Sequence, residues 1–216
     1  MAFLPIKMRF KLTFKITIVF IVFSNLLIGQ NNSFQQFKRL SCSEKRWVVF
    51  HPFVAKKALN ISLEARNVTA EIKQQQLLKG MGNGDQLDAF RHTYWMARLA
   101  QEIHWRKAKR LGKAHEKGNY RQFKKGKLED GALPDKISTE MDLFNNDVGL
   151  ILGKSNKEQE VKNEVIKLIK EGKCKMLKTD ANGNFLDENN NIIPIEELKG
   201  KWENRKVLVD SDKFFN

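Results

Sequence analysis

Between residues 82 and 153 apolar residues recur at spacings of three and four, and histidines, acids and amides stand within or beside the stripe they form. The spacing predicts helices. The polar groups restrict how those helices pack, because burying such a group costs free energy unless it is bonded. Residues 85–103, as a helix, put Ala89, His92, Met96, Leu99 and Ile103 on one face. His92 then points inwards, and Asp88, one turn earlier, can touch it along the helix surface. From Trp105 to Glu116 a second run aligns Ala108, Leu111 and His115, with Glu116 beside them. A third run starts near Ser138, its expected cap. Met141, Phe144, Val148 and Ile151 are its expected buried stripe, flanked by Asp142, Asn145, Asn146 and Gly149. Gly149 lets another helix approach closely. Three helices thus turn polar groups towards a common seam.

The rest of the chain reads around that block. A helix is expected from Ser43, and Pro52 suits the first turn of another. That second helix offers Phe53, Ala55, Leu59, Leu63, Val68 and Ile72 as a broken apolar stripe. Gly80 to Gly84 lacks the spacing of a phosphate-binding glycine loop and follows no strand, so it reads as a turn. Ser155 and Glu158 make a capping box for a helix that buries Val161, Val165, Leu168 and Ile169 and ends at Gly172. From Lys175 the pattern changes to short strands broken by Asn-rich turns. The run DANGNFLDENNN there lacks the sixth-position glycine and twelfth-position acid of a calcium loop. Trp202, Val207 and Leu208 are expected to pack this tail onto the helices. The expected fold is mainly α: a single bundle-like helical domain over 43–174 with a small C-terminal β-hairpin or meander over 175–216. A chain of 216 residues is long enough for one such core.

Residues 1–29 read as a targeting segment, and 30–42 as a loose linker. Lys7, Arg9, Lys11 and Lys15 precede an apolar run from Ile16 to Ile28. A basic start before a short apolar run describes a secretory signal, and hence an exported protein. The run is short of the ~20 residues of a full span; a retained N-terminal anchor is the alternative. The chain has 39 Lys plus Arg against 25 Asp plus Glu, a formal charge of +14. Such a balance favours anionic small molecules, lipid headgroups or a membrane surface ahead of nucleic acid, and a lysine-rich solvated surface accounts for it equally. In the most basic stretch, 104–127, Glu116 is the one acid, and Trp105, Tyr120 and Phe123 are interleaved. That mixture occurs at membrane interfaces and in nucleic-acid grooves, and also on helix exteriors whose aromatics face inwards. Cys42 and Cys174 make no disulfide framework and read as free thiols.

At Asp88-Ala-Phe-Arg-His-Thr-Tyr-Trp95, Ala114-His-Glu116 and Met141-Asp-Leu-Phe-Asn-Asn146 with Gly149, the chain resembles an uncharacterised bacterial family, domain of unknown function six-nine-seven-three. That family carries a pattern like DAFRHAYW, then AHE, then MDLxNNxxG. The resemblance spans roughly residues 80–153 and implies a helical domain, with no activity attached.

The residues themselves suggest chemistry. Neutral imidazole and carboxylate are metal ligands, so His92, His115 and Asp142 are candidates for a divalent metal, zinc foremost, with Asp88 orienting His92. Glu116 would be the general base of a hydrolase acting on a phosphoester-like bond. Asn146 is grouped with Glu116 and Asp88 as catalytic, and Arg91, Asn145 and Trp95 as substrate-binding. In a metal-free variant, His92 or His115 would be the base, paired with Asp88 or Asp142. A non-catalytic envelope module is the other class: there the same groups form a buried hydrogen-bond network that sets helix register.

Overall fold

A computed structural model describes residues 34–128, 133–155 and 161–213. The targeting segment, and Glu158 of the expected capping box, lie outside the described residues. The chain divides into Met1–Ser41 and Cys42–Asn216. In the first part residues 34–39 are helical where a loose linker is expected. The segment 34–41 has no Pro or Gly, and Lys38 lies 4.6 Å from the centroid of Phe34, four residues earlier, a contact that helical spacing brings about.

In the second part α1 (Cys42–Phe50) is followed by α2 (Pro52–Gln74), which Pro52 opens. Then come α3 (Gln86–Ile103), α4 (Trp105–Phe123), α5 (Lys136–Ser155) and α6 (Val161–Lys170). The strand β1 (Lys175–Leu177), a short helix α7 (Ile195–Leu198) and the strand β2 (Leu208–Asp210) complete the described order. The fold is mostly helical with a small antiparallel two-stranded sheet, in which Lys175, Met176 and Leu177 pair with Asp210, Val209 and Leu208. Among the described residues no helix is long and apolar enough to cross a membrane.

α3 is the central element. It packs most extensively on α5, and also on α2, α4, α6 and β1. On one side of it Phe90 and Leu87 join Ile72, Val165 and Ile169. On the other Met96, Leu99 and Ile103 join Trp47, Ile61, Leu111 and Leu150. A helix surrounded in this way is normally apolar all round. This one also buries Gln86, Asp88, His92 and Thr93.

The register of α5 differs from expectation. Met141 is buried, but Phe144 and Ile151 are exposed, and Asp142, Asn145, Asn146, Gly149 and Gly153 face the interior instead. The reason is steric. A Cβ on Gly149 would overlap the backbone carbonyl of Thr93, and one on Gly153 would overlap that of Ala97. The two glycines are one turn apart, as are Thr93 and Ala97, so α5 lies backbone to backbone against α3. This contact turns the polar flank inwards at the expense of two large apolar side chains. The stripe expected on α2 is rotated too. Phe53 and Leu63 are exposed, and Ala58, Ile61, Ala65 and Ile72 are buried.

α5 is capped by Asp135, three residues before the expected Ser138. Its Oδ1 accepts from the Ser138 backbone N at 2.8 Å. Its Oδ2 accepts from Lys206 at 2.7 Å and Asn204 at 2.9 Å, so the tail completes the cap. Burial alone would raise the Asp135 carboxyl, but Lys206 and the bonds from Ser138 together hold the group below its ordinary range. Asp180 and Asp187 each fold a turn of the tail by accepting backbone N–H groups two and four residues ahead. Trp202 packs on α4, its ring 4.8 Å from Tyr120 and 5.2 Å from Phe123. Cys42 is exposed and Cys174 buried, both as free thiols.

The crossing of α3 and α5 is directly testable. Gly149→Ala should destabilise the fold by roughly 1–3 kcal/mol, the cost of overpacking a tight contact. Urea unfolding should show this as a lower midpoint at unchanged slope.

Candidate functional site

The site starts from the cap of α3. Asp85 Oδ1 accepts from the backbone N of Leu87 and Asp88, and Oδ2 accepts from Met81 and Gly82 at 2.6 and 2.8 Å. The glycine-rich turn is therefore folded around one carboxylate. It ends by donating the Gly84 N–H to Asp88 Oδ2 at 2.7 Å. Asp88 is fixed by this bond, with Oδ1 placed 3.6 Å from His92 Nε2. From α5, Asp142 Oδ1 comes to 3.4 Å of the same nitrogen. All three residues are buried, and their ligand atoms lie within 4.8 Å of one another. This buried Asp88–His92–Asp142 group could hold a metal ion, with two carboxylates and an imidazole as donors; His115, expected as a ligand, is not in it, and Asp88, expected to orient His92, is.

The state of the His92 ring fits that use. Burial first, then the positive charges of Arg91, His115 and Arg66, hold its pKa well below the ordinary 6.5, while Asn146 opposes the shift. The ring is neutral at pH 7, as a ligand must be. Its Nδ1 has no hydrogen-bond partner among the described residues, and neither has the Asn146 Oδ1. Asn146 is close enough to bond the ring. An Nδ1–H turned to Asn146 would leave the Nε2 lone pair facing the two aspartates, the second-sphere arrangement common for ligand histidines.

Arg91 is the competing occupant. Its Nη2 sits 2.6 Å from Asp88 Oδ1 and 3.3 Å from His92 Nε2. A cation at the centre would have to displace it outwards, and its side chain is already about a fifth exposed.

Glu116 lies beside this group on α4. Asn119 Nδ2 donates to its Oε2 at 3.0 Å, and Asn146 Nδ2 donates to its Oε1 at 3.3 Å. Two amides thus steer one buried carboxylate. His115 comes within 6.3 Å of His92 between ring centroids, and its Nδ1 pairs with Glu44 Oε1 at 3.0 Å. Trp95 stands edge-on to both rings, 6.5 Å from His92 and 5.6 Å from His115, and bonds Ser62 Oγ through its indole N–H. The seam therefore brings together Asp88, Arg91, His92, Trp95, His115, Glu116, Asp142 and Asn146 of the sequence-expected set. Asn145 is placed otherwise: both ends of its amide are taken by the backbone N and O of Lys175. Asn119 and Glu44 are additions. Asn119 follows Glu116 at helical spacing and was open to detection; Glu44 pairs across 71 residues, where no periodicity points.

A family model described as a domain of unknown function (DUF6973) matches residues 45–176. Comparisons with curated proteins and with solved structures return no match.

Burial of a neutral His92 ties stability to pH. Below 6.5 the unfolded ring takes a proton that the folded ring resists, so stability is complete above that value and is lost as pH falls towards the folded pKa. The loss runs at up to about 1.4 kcal/mol per pH unit. In metal-free buffer the melting temperature should fall as pH drops below 6.5, and His92→Gln should flatten that fall.

Proposed function

The chain belongs to the DUF6973 family, and from the geometry of its seam we propose that it is an exported metal-dependent hydrolase acting on an anionic, phosphoester-like bond. The observation that carries this reading is the buried convergence of Asp88, His92 and Asp142 on one point. The basic start and apolar run of the first 29 residues support export. A divalent cation, zinc foremost, would supply a Lewis acid that polarises the scissile bond and makes water more acidic. The remaining work falls to this chain's own side chains. Glu116, steered by Asn119 and Asn146, accepts the proton of the attacking water. Arg91, already beside the site, meets the anionic oxygens of the substrate. His115, held by Glu44, faces the seam from α4 and completes its polar lining. Trp95 walls the seam beside the two imidazoles, edge-on to both.

A second reading has one observation in its favour. Arg91 bonds Asp88 and touches His92 where a cation would sit, so the cluster also works as a closed ion-pair network that fixes helix register in a non-catalytic envelope module.

Metal analysis separates the two. The purified wild type, reloaded with zinc and desalted, should retain about one equivalent, and His92→Ala and Asp142→Asn should lose it. Glu116→Gln should keep the metal and lose roughly 10²–10⁴-fold in hydrolysis of an aryl phosphodiester. A wild type that retains no metal, with a large fall in melting temperature on His92→Ala, would favour the network reading.

A further inference from the structure

The corner where α1 meets α2 leaves large apolar side chains uncovered. Val49 is 65% exposed, Phe50 74% and Phe53 100%. Pro52 between them is exposed as well. Three large apolar side chains within five residues stand in water at the tip of a helical corner, and such patches mark interaction sites. Beside the tip lies a groove of about 490 Å³, lined by Arg46, Trp47, Phe50, His51, Arg110 and Ala114. Trp47 and His51 stack at 4.7 Å to form one wall. Arg46 and Arg110 are exposed, and neither has a carboxylate partner among the described residues. Lys56 and Lys57 follow on the next turn of α2, both exposed, with Lys57 paired to Glu102 at 2.8 Å.

We propose that this corner docks on the surface of an anionic phospholipid bilayer, with Val49, Phe50 and Phe53 entering the acyl boundary and Arg46 and Arg110 holding a headgroup phosphate in the groove. Each observation fits that occupant. The guanidiniums complement anionic headgroups, which attract cations held near the bilayer surface. The apolar residues sit on a projecting tip, a shape that a fluid bilayer can accept and a rigid protein surface would have to match with a cavity. Aromatic and aliphatic side chains at the tip, with cations behind them, are the arrangement of a peripheral interfacial anchor. A nucleic acid would use the cations but leave Val49 and Phe53 uncovered. The proposal does not depend on a metal in the seam.

The test uses the full chain with a reporter at the corner itself, so that binding through any other segment is not mistaken for docking. Cys42→Ser removes the exposed thiol, and Cys174 is buried. Val49→Cys then takes an environment-sensitive fluorophore while both phenylalanines remain. Vesicles containing phosphatidylglycerol should blue-shift the label, and vesicles of phosphatidylcholine should not. Arg46→Gln with Arg110→Gln should weaken the response about thirty-fold, and Phe50→Ser with Phe53→Ser should abolish the shift. Each variant is compared after its circular dichroism melting curve matches that of the parent. A label that stays unshifted while the chain sediments with the vesicles would overturn the proposal. So would an equal shift on phosphatidylcholine, or a shift produced by inorganic phosphate alone, which would make the groove a free-anion site.

Discussion

The close passage of α5 across α3 is the contact on which the other features rest. Gly149 and Gly153 remove the two side chains that would hold the helices apart. With the backbones this near, the residues flanking the glycines have no choice of direction. Asn146 and Asp142, one and two turns before Gly149, are carried into the gap beside His92. Phe144 and Ile151 are carried out to solvent. Exposing two large apolar side chains forgoes a few kcal/mol of burial. The close packing of two long helices offsets that loss, and the polar groups it buries then have to satisfy one another.

They do so incompletely. Asp88 is held by the Gly84 N–H and Arg91, and Glu116 by two amides. Yet Asn119 Oδ1 is buried without a hydrogen-bond partner among the described residues, and His92 Nδ1 and Asn146 Oδ1 have only each other to turn to. A network present only to fix helix register gains nothing from such atoms, each of which costs about 1–3 kcal/mol when unsatisfied. Sites that bind something tolerate them, because the ligand or its water supplies the missing partner. This asymmetry weighs towards a binding seam, even though the Arg91 guanidinium shows how the aspartates can be neutralised without one.

Local spacing made the seam legible in the sequence, and it failed where tertiary choice took over. His92 pointing inwards, Asp88 one turn behind it and Gly149 as a place of close approach all follow from one helix at a time. The rotation of α5 does not. Its apolar residues argue for a stripe through Phe144 and Ile151, and the overriding signal was a second glycine four residues after the first. Ser138 and Asp135 are both good capping residues; Asp135 prevails because Lys206 and Asn204, about seventy residues on, complete its bonds. The pairing of β1 with β2 spans some thirty intervening residues, so no local pattern could reveal it. Glu44, which holds His115, was hidden for the same reason of distance.

The short strand β1 explains how so polar a seam keeps its geometry. Leu177 N donates to the carbonyl of Gly84 at 2.7 Å, and the N–H of that same glycine holds Asp88. Two residues earlier in the strand, the Lys175 backbone is clamped by the Asn145 amide on α5. β1 thus ties the start of α3 to the middle of α5, the two places that present Asp88 and Asp142 to His92. Asn145 therefore acts on the site from behind. It braces the middle of α5, from which Asp142 reaches His92, against the strand that also holds the Gly84 turn.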